Sequence, residues 1–205
     1  DAMVIGLTRS FSTNIEEVTR VLDPKPGAQL FGMSIVIARG RTVLIADTSV
    51  HELPSAEVLA DITVQTGEKA RQLGHEPRVA LLSFSNFGNP AREKAVRIRE
   101  AVAVLDSRRV DFEYDGEMQA NVALDYALMQ TLYPFSRLSG PANILIMPAL
   151  HSANISSTLL QQLAGGSVIG PVLCGLAKPA QIVQPNATVN DLVTAAAFAA
   201  IDAVR

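Results

Sequence analysis

The chain has 205 residues, 48% of them hydrophobic and 18% charged, with a formal net charge of −3. That balance fits a globular chain of one or two domains able to bury a core, and with aromatics at only 5% it lacks both a basic footprint and stacking platforms, which counts against nucleic acid as a partner. Cys174, the single cysteine, has no internal disulfide partner and reads as a small buried apolar residue in a reducing compartment. No apolar run approaches the ~18 residues of a membrane span and no charged-then-apolar leader opens the chain, so the expected location is the cytoplasm, away from membranes.

In chain order, Met3-Val4-Ile5-Gly6 reads as a strand, and Thr13-Asn14-Ile15-Glu16 fits a capping box opening a helix from about Ile15 to Leu22. Asp23-Pro24-Lys25-Pro26-Gly27 breaks that helix, because two prolines cannot continue its hydrogen-bond ladder. Leu30 to Ala38 and Thr42 to Ala46 are β-branched apolar runs joined by Arg39-Gly40-Arg41, a hairpin signature whose arginines read as a solvated tip. From Ser55 to Leu73 the apolar residues keep helical spacing, and Gly74 stands where a C-cap glycine belongs. Arg78 to Ser83 is a buried strand, Pro90 to Leu105 a helix with a charged solvated face, Val110 to Glu113 a brief strand, and Gln119 to Leu132 a helix ending before Pro134. Glu113, Asp115 and Glu117 read as a solvated turn in preference to a metal or acid/base pair.

The run Asn143-Ile144-Leu145-Ile146-Met147 is a buried parallel strand, followed by polar Ser152 and Asn154 and a helix with Ile155, Leu159, Leu160 and Leu163 on one side. Strand, polar turn and helix start together offer free backbone N–H groups to an anionic ligand. Val168 to Leu173 is a further apolar run, Lys178 precedes Pro179, and Thr188-Val189-Asn190-Asp191 is a second capping box. In the last helix, Leu192, Val193, Ala196, Ala200 and Ala203 line one face suited to close packing. Hairpin pairing beside strand-helix alternation predicts a mixed sheet. No metal-ligand spacing links His51, His75 and His151, and no P-loop, dinucleotide fingerprint or G-x-S-x-G elbow is present. The loop Ser83-Phe84-Ser85-Asn86-Phe87-Gly88-Asn89 joins a strand to a helix, and two readings of it stand: a set of turns and caps, or hydroxyls and N–H groups for phosphate or pantetheine.

The run Ala142 to Pro148, then Ala153-Asn154-Ile155, Ile169-Gly170-Pro171-Val172-Leu173 and Gly175-Leu176-Ala177-Lys178-Pro179, resembles the phosphate acetyltransferase/butyryltransferase family. The resemblance extends through Asp115-Gly116-Glu117-Met118-Gln119 back to Asp1-Ala2-Met3-Val4-Ile5-Gly6, nearly the whole chain. Within the family, Gly6-Leu7-Thr8-Arg9 and the loop from Ser83 look most like the domain at the C-terminus of large bacterial NADP-dependent malic enzymes. It implies a three-layer α/β fold with a mixed, mainly parallel sheet, of the phosphotransacetylase and isocitrate-dehydrogenase-like kind. One nearly complete lobe is expected at residues 28–174, with a partial second lobe from 1–27 and 175–205. The chain opens inside a family motif, so the resemblance also implies a segment ahead of Asp1.

Active members carry a run like Asn-Asp-Leu-Ser-Arg-Gly after the Lys-Pro pair, and its arginine is expected to neutralise phosphate. Here Gln184 and Pro185 hold the Ser-Arg positions, and the loop after Ser83 is short. Asp191 matches the family's acidic position but on its own is better explained as a helix-start residue. The resemblance therefore implies a catalytically silent regulatory and dimerisation domain sensing acetyl-CoA or a related CoA ester, with no catalytic residue and no cofactor of its own. Candidate ligand residues are Ser83, Ser85, Asn86, Asn154 and Lys178. NADP and a divalent metal are expected in an upstream catalytic domain that decarboxylates malate, and the assembly is expected to be at least a dimer. The alternatives are an active phosphate acyltransferase and a structural dimerisation module that binds nothing.

Overall fold

The residues with the strongest turn chemistry set the frame. Ala38 and Arg41 end and begin adjacent strands, and the two residues between them, Arg39 and Gly40, both have positive φ (51° and 71°), as a tight hairpin of right-twisted strands requires. In the computed structural model, which describes residues 2–163 and 165–204, this hairpin is β2 (Phe31–Ala38) and β3 (Arg41–Ala46). Helix α2 (Ala56–Gln72) follows, capped at its start by the Ser55 side chain. It ends in a Schellman motif: Gly74 N–H donates to Arg71 O and His75 N–H to Ala70 O, with Gly74 in the left-handed region.

Then come β4 (Arg78–Leu82), α3 (Glu93–Arg108), β5 (Glu113–Met118), α4 (Ala120–Leu124), α5 (Tyr126–Leu132), β6 (Ile144–Ile146), α6 (Leu150–Leu163) and β7 (Ser167–Cys174). These strands form a six-stranded sheet in the order β5-β4-β6-β3-β2-β7. The pairs β5/β4, β4/β6 and β6/β3 are parallel, while β2 runs antiparallel to both β3 and β7, so the mixed sheet read from the sequence is what forms.

Alternation along each strand assigns its two faces. Val79 and Leu81 of β4, with Leu44, Ile144 and Ile146, pack under Leu59 and Ile62 of α2 and Ile98 and Leu105 of α3. Ala80 and Leu82, with Ile45 and Leu145, face Val122 of α4, Met129 of α5 and Ala153 of α6. Each large side chain sealed in this way contributes about 1.5–3 kcal/mol of transfer free energy, so the three-layer arrangement is the one that buries both faces of the sheet. The two chain ends meet in a second, two-stranded parallel sheet of β1 (Met3–Gly6) and β8 (Ala180–Val183), flanked by α1 (Phe11–Thr19) and α7 (Val189–Ala203). A separate small core lies there, with Val18, Leu30, Leu173 and Ile182. No helix of the described residues is long and apolar enough to cross a membrane.

Several local expectations are corrected. The first helix starts at Phe11, because the Ser10 side chain accepts from Thr13 N–H and so outcompetes the Thr13 to Glu16 box. The helix expected over Gln119 to Leu132 is two, since Asp125 turns its carboxylate onto Leu128 N–H and caps a fresh start. The helix over α3 lies three residues later than its pattern indicated. The inward face of α7 carries Phe198 and Ala199, which the spacing did not single out, while Val193, on the face read as suited to packing against a neighbour, is 61% exposed. Most consequential is β5, which runs through Glu113, Asp115 and Glu117 where a solvated turn was expected. Asp115 and Glu117 are buried. They are tolerated there because each carboxylate is fully hydrogen-bonded: Asp115 accepts from Gly116 N–H, Ser136 Oγ and Arg137 N–H.

Candidate functional site

The carboxyl ends of β4, β6 and β3 lie along one edge of the sheet, and the loops leaving them form its wall. The chain departs β4 toward α3 on one face and β6 toward α6 on the other. Adjacent parallel strands whose connections part in this way leave a crevice outside their carboxyl ends, the general position for a ligand in open α/β sheets.

The loop Ser83–Asn89 is held there by Glu117. Its fully buried carboxylate Oε1 accepts from Ser85 Oγ at 2.7 Å, Gly88 N–H at 3.0 Å and Arg99 Nη1 at 3.0 Å. Asn86 Oδ1 accepts from Gln119 N–H at 2.7 Å, and Asn86 N–H donates to Asn89 O at 3.0 Å. Ser85 and Asn86 thus spend their side chains on the loop's own framework, while Ser83, whose Oγ lies 3.4 Å from Ser85 Oγ, is the least engaged of the three side chains. In the loop after β3, Asp47 accepts from Gly32, Ser49, Val50 and His51 N–H groups, and its Oδ2 lies 2.8 Å from His51 Nδ1. That saturation fixes the loop and leaves His51 Nε2 without a hydrogen-bond partner among the described residues.

The remaining candidates lie apart. Asn154 is exposed in the second turn of α6, which begins at Leu150, so it lies within the helix and not in the polar turn expected ahead of it. Lys178 is exposed in the turn between β7 and β8. Four strand intervals separate β4 from β7, about 19 Å at ordinary strand spacing. Ser83, Ser85 and Asn86 are therefore brought together, and only an extended ligand lying along the edge reaches from them to Lys178.

A cavity of about 320 Å³ lies between the two sheets, walled by β7, β8 and the start of α7. Gln184 and Asp191 line it, no lysine or arginine among the described residues does, and Asp191 is its single charged group. Pro185 occupies a β-turn closed by Ala187 N–H donating to Gln184 O. Asp191 completes the capping box expected from the sequence: its Oδ2 accepts from Thr188 N–H and Thr188 Oγ1, both at 2.8 Å. The backbone hydrogen bond from Thr188 first, and its hydroxyl second, hold the Asp191 carboxyl below the usual range. The lining thus offers a carboxylate held by Thr188 and side-chain amides, with no cation among the described residues.

Sequence reasoning missed Gln181, whose buried amide bonds both Leu173 N–H and Leu173 O and ties β8 to β7. It also missed a larger cavity of about 560 Å³ lined by Lys25, Glu68, Lys69, Cys174 and Asp202. There Lys69 of α2 pairs with Asp202 of α7, partners separated by 133 positions. No local pattern could have announced that contact. Burial pushes the Cys174 thiol up to about 12, so it carries no thiolate near neutral pH.

The family described as Phosphate acetyl/butaryl transferase matches residues 1–200. The chain is 56% identical over 203 residues to the NADP-dependent malic enzyme of Rhizobium meliloti, covering 99% of this chain and 26% of that protein. It is 39% identical over 209 residues to the phosphate acetyltransferase of Treponema pallidum, covering 96% of this chain and 62% of that protein. Among solved structures, a phosphotransacetylase from Streptococcus pyogenes superposes with a TM-score of 0.94 at 29% identity, over 100% of this chain and 63% of the other. The chain thus spans about a quarter of the malic enzyme it matches.

Proposed function

Because the chain belongs to the Phosphate acetyl/butaryl transferase family, we propose that it is the phosphotransacetylase-like regulatory and dimerisation domain of an NADP-dependent malic enzyme, sensing acetyl-CoA without transferring its acetyl group. The oxidative decarboxylation of malate, with NADP and a divalent metal, belongs on this reading to a separate catalytic domain of the same cytoplasmic protein. The observation that carries silence is the cavity between the sheets: Gln184 and the Pro185 turn stand where active relatives are expected to place Ser-Arg, and Asp191 is the only charge lining it among the described residues. Acyl transfer to phosphate needs a cation for the incoming anion and for the charge that develops. Recognition is separable from that chemistry. The Ser83–Asn89 loop is braced by Glu117, and Lys178 can meet a phosphate as a point charge.

Calorimetric titration of acetyl-CoA into the intact protein tests recognition. Binding to the wild type is expected, weakened by ~1 kcal/mol or more in Lys178→Ala and in Asn154→Ala, as loss of a polar contact to a charged ligand gives. Unchanged binding in both variants moves the site elsewhere, and no binding to the wild type leaves only a structural module.

The dimer partner on this reading is a second copy. Ile155, Leu159 and Leu163 of α6 are 56%, 53% and 80% exposed, and Val189 and Val193 of α7 are 77% and 61% exposed. Exposed apolar side chains on two helices support an isologous contact, in which the same face of each copy covers the other. Light scattering at micromolar protein is expected to give the mass of at least two chains, and the double variant Leu159→Lys, Val193→Lys to shift it toward one. A wild-type mass of one chain counts against the assembly.

A further inference from the structure

Arg97 stands on α3, two residues before Arg99, and the two guanidinium groups meet opposite fates. Arg99 pairs with Glu117. Arg97 donates from Nη2 to Pro148 O at 2.7 Å, in the turn that leaves β6, and among the described residues no carboxylate lies within ion-pair distance of it. Its Nε is sealed from solvent and has no hydrogen-bond partner. Burial alone pulls its pKa below the usual arginine range, with no partner to restore it. A cation drawn partly out of water without a counter-charge costs free energy, and a carbonyl dipole offsets only part of that.

The place matters as much as the group. Pro148 lies two residues beyond the end of β6, at the crevice where β4 and β6 part their connections. The same turn is gripped from the other side by the loop after β3, whose Glu52 O accepts from Leu150 N–H at 3.1 Å. That loop carries His51, its Nδ1 on Asp47. An unpaired guanidinium therefore stands at the ligand end of the sheet, between the Ser83–Asn89 loop and the His51 loop.

We propose that Arg97 is an anion-binding residue that holds a phosphoryl group at the carboxyl edge of β4 and β6, either inorganic phosphate or a phosphate of the CoA ester. The proposal deepens the acetyl-CoA reading where the ester supplies the phosphate, and stands apart from it where free phosphate does. Arginine suits the task because its planar fork leaves donors for a phosphate oxygen after one is spent on Pro148.

The test measures binding of inorganic phosphate and of acetyl-CoA, separately, to the intact wild-type protein, Arg97→Met and Arg97→Lys, with thermal midpoints in anion-free buffer. At least one of the two ligands is expected to bind about tenfold more weakly to Arg97→Met, with Arg97→Lys between, while the anion-free midpoint of Arg97→Met stays level or rises as the uncompensated charge is removed. Loss of phosphate binding identifies a site for the free anion; loss confined to acetyl-CoA assigns the phosphate to the ester. If neither ligand distinguishes Arg97→Met from the wild type, the proposal is overturned, and acetyl-CoA binding that is equal in both leaves the functional reading standing without it. Phosphate binding that depends on Arg97 in a protein blind to acetyl-CoA supports this site and removes that reading. A fall in the anion-free midpoint of Arg97→Met with no ligand effect makes Arg97 a strut for the Pro148 carbonyl.

Discussion

Glu117→Ala is expected to lower the unfolding free energy by about 3 kcal/mol, read from the denaturant midpoint at constant slope. The carboxylate is wholly buried and serves Ser85 Oγ, Gly88 N–H and Arg99 at once. Its removal strands two donors and a cation around a void, and breaking a buried pair from one side costs ~3–5 kcal/mol. The lower end applies here because the Arg99 side chain keeps 35% of its exposure and can turn to water. Arg99→Ala leaves the carboxylate its other donors and is expected to cost less. The double variant is expected to fall short of the sum by at least ~1 kcal/mol, the coupling of groups in one network. A change below ~1 kcal/mol in Glu117→Ala would mean that the loop is not braced by this carboxylate.

The same residue shows where sequence reading stops. Period-two and period-3.6 patterns sufficed for the hairpin β2/β3, for α2 with its Ser55 and Gly74 ends, for β4 and β6, and for the Thr188–Asp191 box, because in each the local chemistry and the burial agree. Glu113-Tyr114-Asp115-Gly116-Glu117 reads as a polar turn because its carboxylates are satisfied by residues distant in sequence: Ser85 lies 32 positions from Glu117 and Arg137 lies 22 from Asp115. Apolar spacing in α7 likewise could not say which of two alanine-rich faces turns inward. Phe198 decides it by filling the space against the sheet.

The candidate site was legible in part for a related reason. Ser83, Ser85 and Asn86 were singled out by a loop of hydroxyls and amides between strand and helix, and the structure gathers them at the sheet's carboxyl edge. Which of their side chains stay free depends on Glu117 and Gln119, and that is tertiary information. Arg97 was read as part of a solvated charged face, since helical spacing alone cannot distinguish an arginine that finds an acid from one that meets only the Pro148 carbonyl.

The expected result with the largest span concerns chemistry. Active relatives are expected to meet phosphate with a Ser-Arg pair; here the corresponding segment is Gln184 with the Pro185 turn, beside an Asp191 whose charge is secured by Thr188. Losing one preorganised donor costs ~10²–10³ in rate, and a proline in the arginine's place supplies neither a charge nor an N–H donor. The decisive measurement is the steady-state rate of CoA release from acetyl-CoA and phosphate by the intact protein, under conditions in which acetyl-CoA binding has been established by calorimetry. The account predicts turnover at least ~10²-fold below the ~1 s⁻¹ at the slow end of ordinary enzymes. Turnover of ~1 s⁻¹ or faster would contradict it and make the chain an acyltransferase that works without the Ser-Arg pair.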